Sequence, residues 1–123
     1  MQEIDIIYNS FGSPVLRLLS NGRLVDYNGK SIGFIEEDCV YDYNGVHVGW
    51  YIDGIFRDHN GCCVGFGNDV QLTPHPLLPI KQICPISGFI EFEPFRPFRG
   101  FPPLKPVFFM GWSSYNPISI FKI

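Results

Sequence analysis

Proline is nearly missing from the first 70 residues, where Pro14 stands alone, while the other ten of the eleven follow later. Proline cannot donate to a sheet ladder, so the later stretch is excluded from the centre of any sheet. No apolar run reaches the ~20 residues of a membrane-spanning helix, and no membrane partner is expected. The opening residues Met1-Gln2-Glu3-Ile4-Asp5 have neither the basic nor the apolar region of a secretory signal. The expectation is therefore a cytoplasmic chain with Cys39, Cys62, Cys63 and Cys84 as free thiols. No convincing helix is legible. Chemical motifs are missing too: there is no Gly-rich phosphate loop leading into a helix, no G-x-S-x-G, no H-E-x-x-H and no CxxC pair. No catalytic residue, cofactor or metal is expected, and the chain reads as non-enzymatic.

Charge is sparse and unevenly placed. Charged residues make up 17% of the chain, and the formal net charge of −3 divides into −6 over residues 1–70 and +3 over residues 71–123. An acidic first part would repel phosphate, so nucleic acid is not an expected partner. A basic second part instead suggests docking on the first, of the same or a neighbouring chain, although surface charge alone attracts weakly.

What the chain has is a recurring turn. Asp26-Tyr27-Asn28-Gly29, Asp42-Tyr43-Asn44-Gly45 and Asp58-His59-Asn60-Gly61 are each followed by a β-branched residue, a second Gly and an aromatic: Ile32-Gly33-Phe34, Val48-Gly49-Trp50 and Val64-Gly65-Phe66. A degenerate copy, Asn9-Ser10-Phe11-Gly12-Ser13-Pro14-Val15-Leu16, precedes them as an atypical end repeat. The Asp side chain can accept backbone N–H groups within the turn, Asn tolerates its backbone angles, and Gly supplies the positive φ that closes a three-residue hairpin loop. Asp26, Asn28, Gly29, Asp42, Asn44, Gly45, Asp58, Asn60 and Gly61 are accordingly read as structural turn residues.

With a three-residue loop, Asp26 faces Lys30, Leu24 faces Ile32 and Gly22 faces Phe34. Alternation along a strand then places Leu24, Ile32 and Phe34 on one apolar face. Val40, Val48 and Trp50 follow in the next copy, then Phe56, Val64 and Phe66, with Ile7 opposite Val15 in the first. Gly33, Gly49 and Gly65 fall on the other face, where they relieve crowding between twisting strands. A lone hairpin is marginal in water. Four of them must bury their apolar faces together, so residues 1–70 are expected to form an all-β, pseudo-fourfold domain of hairpins arranged as petals about an axis.

Residues 71–123 follow another grammar. From Pro76 to Phe108 the chain runs in triplets whose middle residues are Leu77, Ile80, Ile83, Ile86, Phe89, Phe92, Phe95, Phe98, Phe101, Leu104 and Val107. The residue before each is Pro or Gly nine times in eleven, Gln82 and Glu91 being the exceptions. Period three with frequent Pro is the signature of polyproline II. An apolar stripe of that length is too much to leave in water. The expectation is an extended tail whose middle residues cover the apolar hairpin faces, within one chain or exchanged between chains, with Phe89, Phe92, Phe95, Phe98 and Phe101 as an interaction stripe and homo-oligomers as the outcome.

The tandem Asp-x-Asn-Gly-x-x-Val-Gly-Trp/Phe copies, the triplet tail and the ending Gly111-Trp112-Ser113-Ser114 resemble the bacterial four-fold β-flower proteins, best over residues 21–114. The resemblance implies pseudo-fourfold hairpins in a non-secreted protein and transfers no functional residues.

Other groupings have plainer explanations. Asp26, Asp42 and Asp58 imitate a carboxylate ring but hold turn positions that favour Asp. His59 with Cys62 and Cys63 imitates a metal site, yet adjacent cysteines on a strand point to opposite faces. Neither cysteine has an oriented base in His59 or His47. Two functional expectations remain: a structural, self-assembling or interaction protein joined through its tail, or a small binding module offering Trp50, Tyr43, Tyr41, Tyr51 and His59 to a sugar, peptide or small amphiphile.

Overall fold

Each Asp-x-Asn-Gly turn closes as a loop whose acid bonds its own backbone. In the computed structural model, which describes residues 2–122, Asp26 Oδ1 accepts the N–H groups of Asn28 and Lys30, and Asp42 and Asp58 repeat the pattern with Asn44 and Val46, and with Asn60 and Cys62. The expected segments 1–70 and 71–123 begin and end on residues outside those described. The turns join β1 (Glu3–Tyr8) to β2 (Pro14–Leu19), β3 (Arg23–Val25) to β4 (Ser31–Glu36), β5 (Cys39–Tyr41) to β6 (His47–Ile52), and β7 (Ile55–Arg57) to β8 (Cys63–Phe66). All neighbours pair antiparallel, and the eight strands close into a barrel. The closure is thin, since β1 meets β8 only at Tyr8 and Phe66.

Register departs from the simple hairpin pattern by one residue. Asp26 does pair with Lys30, but Val25 then faces Ser31, Leu24 faces Gly33 and Arg23 faces Phe34, so Ile32 is an extra, bulged residue. The same shift recurs at Val48 and Val64, and between Ile7 and Tyr8 in the first hairpin. A bulge adds a residue to one strand and increases its twist, and here it changes which side chains share a face. The interior cluster takes Ile7, Leu16, Leu18, Leu24, Val40, Val48, Phe56 and Val64. Phe34, Trp50 and Phe66, expected beside them, instead face outward in separate clusters with Cys39 and Tyr41, and with Tyr8 and Ile55.

Gly33, Gly49 and Gly65 are thereby moved inward, directly opposite Leu24, Val40 and Phe56. At Gly49 a Cβ would fall 2.1 Å from the Arg57 carbonyl oxygen, whereas at Gly33 and Gly65 the missing side chain leaves room for the chain end. A Cβ on Gly33 would lie 2.5 Å from the Phe121 ring, and one on Gly65 would lie 2.8 Å from Pro117. Ile120, on the 3-10 turn Ser119–Lys122, is buried in the interior cluster with Phe121 packed against it.

Residues 72–108 contain no helix or strand, yet they lie in a fixed register on the four hairpin turns. The N–H groups of Gln82, Glu91, Gly100 and Phe109, nine residues apart, donate to the carbonyls of Gly12, Gly29, Gly45 and Gly61 at 2.8–3.1 Å. Gly88 donates to Tyr27 O at 2.7 Å. Every first-of-triplet position that is not proline, from residue 82 to residue 109, is one of these five donors. Proline stands at 76, 79, 85, 94, 97, 103 and 106, where a donor is not used. The two exceptions in the triplet pattern, Gln82 and Glu91, are thus two of the fixing points.

The turn glycines serve the same contact. Each has a φ between +81° and +87°, and a Cβ would fall 2.1, 1.7, 2.3 and 2.1 Å from the carbonyl oxygens of Ile80, Phe89, Phe98 and Val107. All four glycines are buried at their loop tips, with this belt laid over them.

The expected direction of the stripe is reversed. The eleven middle residues point away from the barrel, at 75–101% relative exposure. Five of the eleven third-of-triplet residues, Leu78, Ile90, Glu93, Arg96 and Phe108, are half-buried instead. With the backbone bonded through the first residue of a triplet, a three-residue screw leaves the second outside.

Pro substitution separates donor from non-donor positions. Gly100→Pro removes the bond to Gly45 O and is expected to cost on the order of 1–3 kcal/mol, whereas Pro103→Ala, one triplet on, is expected to stay within ~0.5 kcal/mol. Urea unfolding of the two variants checks this, and equal midpoints would contradict the register.

Candidate interaction surface

Three arginines hold the belt, two of them buried. Arg57, at the end of β7, is fully buried and donates to Gly61 O at 2.9 Å, Phe109 O at 3.0 Å, Thr73 Oγ1 at 3.3 Å and Pro74 O. Its guanidinium lies 4.3 Å from the centre of the Phe108 ring. Thr73 and Pro74 open the belt and Phe109 ends it, so one side chain ties its two ends together. Burial pulls the Arg57 pKa below the ordinary guanidinium value. Arg23 donates to Ser31 Oγ at 2.6 Å and Glu91 O at 2.8 Å. Arg96 comes from the belt itself: it bonds Glu93, Glu36 at 3.1 Å and Asn21 O at 2.8 Å, and stands over Phe34.

Past the buckle, the chain repairs the thin seam. Cys63 N donates to Gly111 O at 2.9 Å, Ser113 N donates to Cys63 O at 2.7 Å, and Trp112 forms a parallel bridge with Cys63. Residues 111–113 therefore continue the ladder beside β8 where β1 does not. Ser113 Oγ also donates to Asp58 Oδ2.

The result is a belt with four fixed points and a continuous outer edge of apolar side chains. Between successive points lie Ile83, Ile86 and Phe89, then Phe92, Phe95 and Phe98, then Phe101, Leu104 and Val107. Leu77 and Ile80 occupy the approach to the first. Nine residues of polyproline II would rise about 28 Å at ~3.1 Å each, so each span has the length of a small protein face. The stripe residues Phe89, Phe92, Phe95, Phe98 and Phe101 all lie on this outer edge.

The aromatics expected to serve a small ligand are mostly committed elsewhere. Trp50 and Tyr41 are buried, the Tyr43 hydroxyl donates to Glu93 at 3.0 Å, and the Tyr51 hydroxyl donates to Asp5. His59 alone is exposed. Its Nε2 lies 2.9 Å from His47 Nδ1, with the rings stacked at 5.1 Å. An open cleft of about 520 Å³ lies beside the pair, lined by Asn44, Val46, Phe98, Arg99 and Phe101 among others.

Among the described residues no group of three or more His, Cys, Asp or Glu is placed to hold a metal. Burial pushes the Cys63 thiol up to about 12, far from the thiolate a nucleophile needs. All four cysteines are free, and no described helix is long and apolar enough to cross a membrane.

Sequence reasoning missed the belt arginines and the His47–His59 pair. Arg57 stands where its sister repeats have Val25 and Tyr41, and that break in the pattern was the available signal.

In the comparison with protein families, the 4-fold beta flower protein family matches residues 5–120. Comparison with curated proteins and with solved structures returned no match.

The histidine pair carries a pH dependence. Burial, then the charge of His59, lower the His47 pKa from 6.5 to about 4. The unfolded chain binds a proton at His47 between those values and the folded one does not, so stability rises with pH across this window. Urea midpoints are expected to fall as pH drops from about 6.5 to about 4, with a shallower slope for His47→Gln. An unchanged slope in that variant would assign the dependence elsewhere.

Proposed function

The chain belongs to the 4-fold beta flower family, and on that footing we propose that it is a non-enzymatic structural protein that assembles with copies of itself through the outer edge of its belt. The observation that carries this is the direction of the eleven middle residues, fully or largely exposed in a single chain. Monomeric soluble proteins rarely leave a contiguous apolar strip of this size open, and such strips mark contact surfaces. The belt adds rigidity, because its backbone is bonded at intervals to a closed barrel. Little ordering cost then remains for association.

The division of the edge into spans of three apolar residues suits contacts on several sides of one subunit. A cytoplasmic, bacterial setting is part of the same reading, supported by the free thiols and the family. Membranes and nucleic acids are outside it.

A second reading, a small binding module, draws on the cleft beside His47 and His59. Static light scattering at a range of concentrations, with a thermal-shift screen of glycans and metabolites alongside, separates the two. Self-assembly requires a mean mass that exceeds 14.0 kDa and grows with concentration. A constant monomer mass up to millimolar protein would overturn it, and a ligand-dependent shift in such a monomer would favour the cleft.

A further inference from the structure

The three spans of the belt edge are not alike. One of them, between the fixing points at Glu91 and Gly100, carries phenylalanine at every outward position: Phe92, Phe95 and Phe98, each at 92% exposure or more. Phe89 and Phe101 continue the series on either side. The preceding span has Ile83, Ile86 and Phe89, and the following one has Phe101, Leu104 and Val107. If the edge mediates assembly, the all-aromatic span holds most of the contact energy.

Its outward positions are symmetric. About Phe95, Phe92 is the counterpart of Phe98, Phe89 of Phe101, and Glu91 of Arg99. A two-fold contact requires a surface complementary to itself, in which residue i meets j while j meets i. Antiparallel juxtaposition of two such spans satisfies this for the rings, which meet rings, and also for the charges, since Glu91 meets Arg99 at both ends. Both charged groups are exposed. Glu91 uses Oε1 to accept Ser31 N–H at 3.0 Å, and Arg99 uses Nε on Glu36 at 2.9 Å, which orients each without enclosing it.

Neither neighbouring span has this symmetry. Reversed about Ile86, Lys81 meets Glu91 with matching charge, but Gln82 meets Ile90 and an aliphatic–aromatic mismatch sets Ile83 against Phe89. Reversed about Leu104, Arg99 meets Phe109.

We infer that the Phe92–Phe98 span is the primary, two-fold interface between two copies of this chain, with Phe95 on the axis. The inference rests on the self-assembly reading and adds the partner, the surface and the symmetry to it. Three phenylalanines at ~150–250 Å² each approach the ~800 Å² per partner of a standard interface, and edge-to-face contact between rings adds to area burial. The aliphatic spans, with smaller side chains, join only after this contact is made.

A residue on a two-fold axis lies next to its own copy, which makes cross-linking the direct test. In a Cys84→Ser background, Phe95→Cys and Ile83→Cys are oxidised mildly and compared with the parent, which sets the contribution of the other thiols. The expected result is a covalent dimer forming at least tenfold faster for Phe95→Cys than for Ile83→Cys. Equal or reversed rates would overturn the interface assignment. In parallel, sedimentation of Phe92→Ser/Phe95→Ser/Phe98→Ser is expected to show at least a tenfold weaker dimer, and Ile83→Ser/Ile86→Ser less than a threefold change. All five of those side chains are exposed, so thermal melting should leave both variants folded like the parent. Association of the parent that survives the triple substitution would contradict the interface while leaving self-assembly standing. A parent that never associates would contradict the underlying reading instead.

Discussion

Four carbonyl oxygens, on Gly12, Gly29, Gly45 and Gly61, fix the relation between the two halves of this molecule. A chain in a three-residue screw makes no hydrogen bonds to itself, so its N–H groups need partners from elsewhere wherever it is packed down. The barrel offers the glycine carbonyl of every hairpin tip, and the belt reaches each with a spacing of nine residues, three turns of the screw. Proline is thereby confined to positions between these bonds, while the tips must be glycine because the returning carbonyl of the belt leaves no space for a Cβ. One constraint governs both the proline-rich and the glycine-rich sequence patterns.

The remaining fastenings follow from the way this contact spreads. Arg57 joins the ends of the belt through carbonyl acceptors, not through a carboxylate, a choice that suits a segment rich in backbone oxygen and poor in acid. Arg23 and Arg96 act between those ends, where Glu91 and Glu93 supply the belt's only acidic groups. The barrel gains in return. Its outer aromatic clusters around Phe34 and Phe66 are partly covered by Arg96 and Trp112, and its weak seam at β8 is paired by residues 111–113.

Much of the fold was legible. The repeated Asp-x-Asn-Gly turn gives hairpins, their number and an all-β assembly, and the triplet period marks the belt. Two things were not legible. The bulge at Ile32, Val48 and Val64 adds a residue without any change in turn chemistry, and it sends Phe34, Trp50 and Phe66 outward while bringing Gly33, Gly49 and Gly65 in. Apolar periodicity identifies a stripe but not its direction: Phe92 and Phe95 look like residues in need of a core, whereas the backbone bonds of Glu91 and Gly100 decide that they face away. Gln82 and Glu91, which interrupt the proline pattern, carried that information, but it becomes readable only once the carbonyl partners are known. The residues that the triplet period marks do form the outward edge of the belt, and it was their direction that was misjudged.

An outward apolar edge on a rigid belt is consistent with a protein whose work is done by contact, and everything in that account requires the belt to be bonded in this register. Amide hydrogen exchange resolved by residue tests it most directly. Protection is expected at Gln82, Gly88, Glu91, Gly100 and Phe109, with Ile83, Ile86, Phe92 and Phe95 exchanging near the rate of an unstructured chain. Uniformly fast exchange from residue 76 to residue 109 would contradict the account.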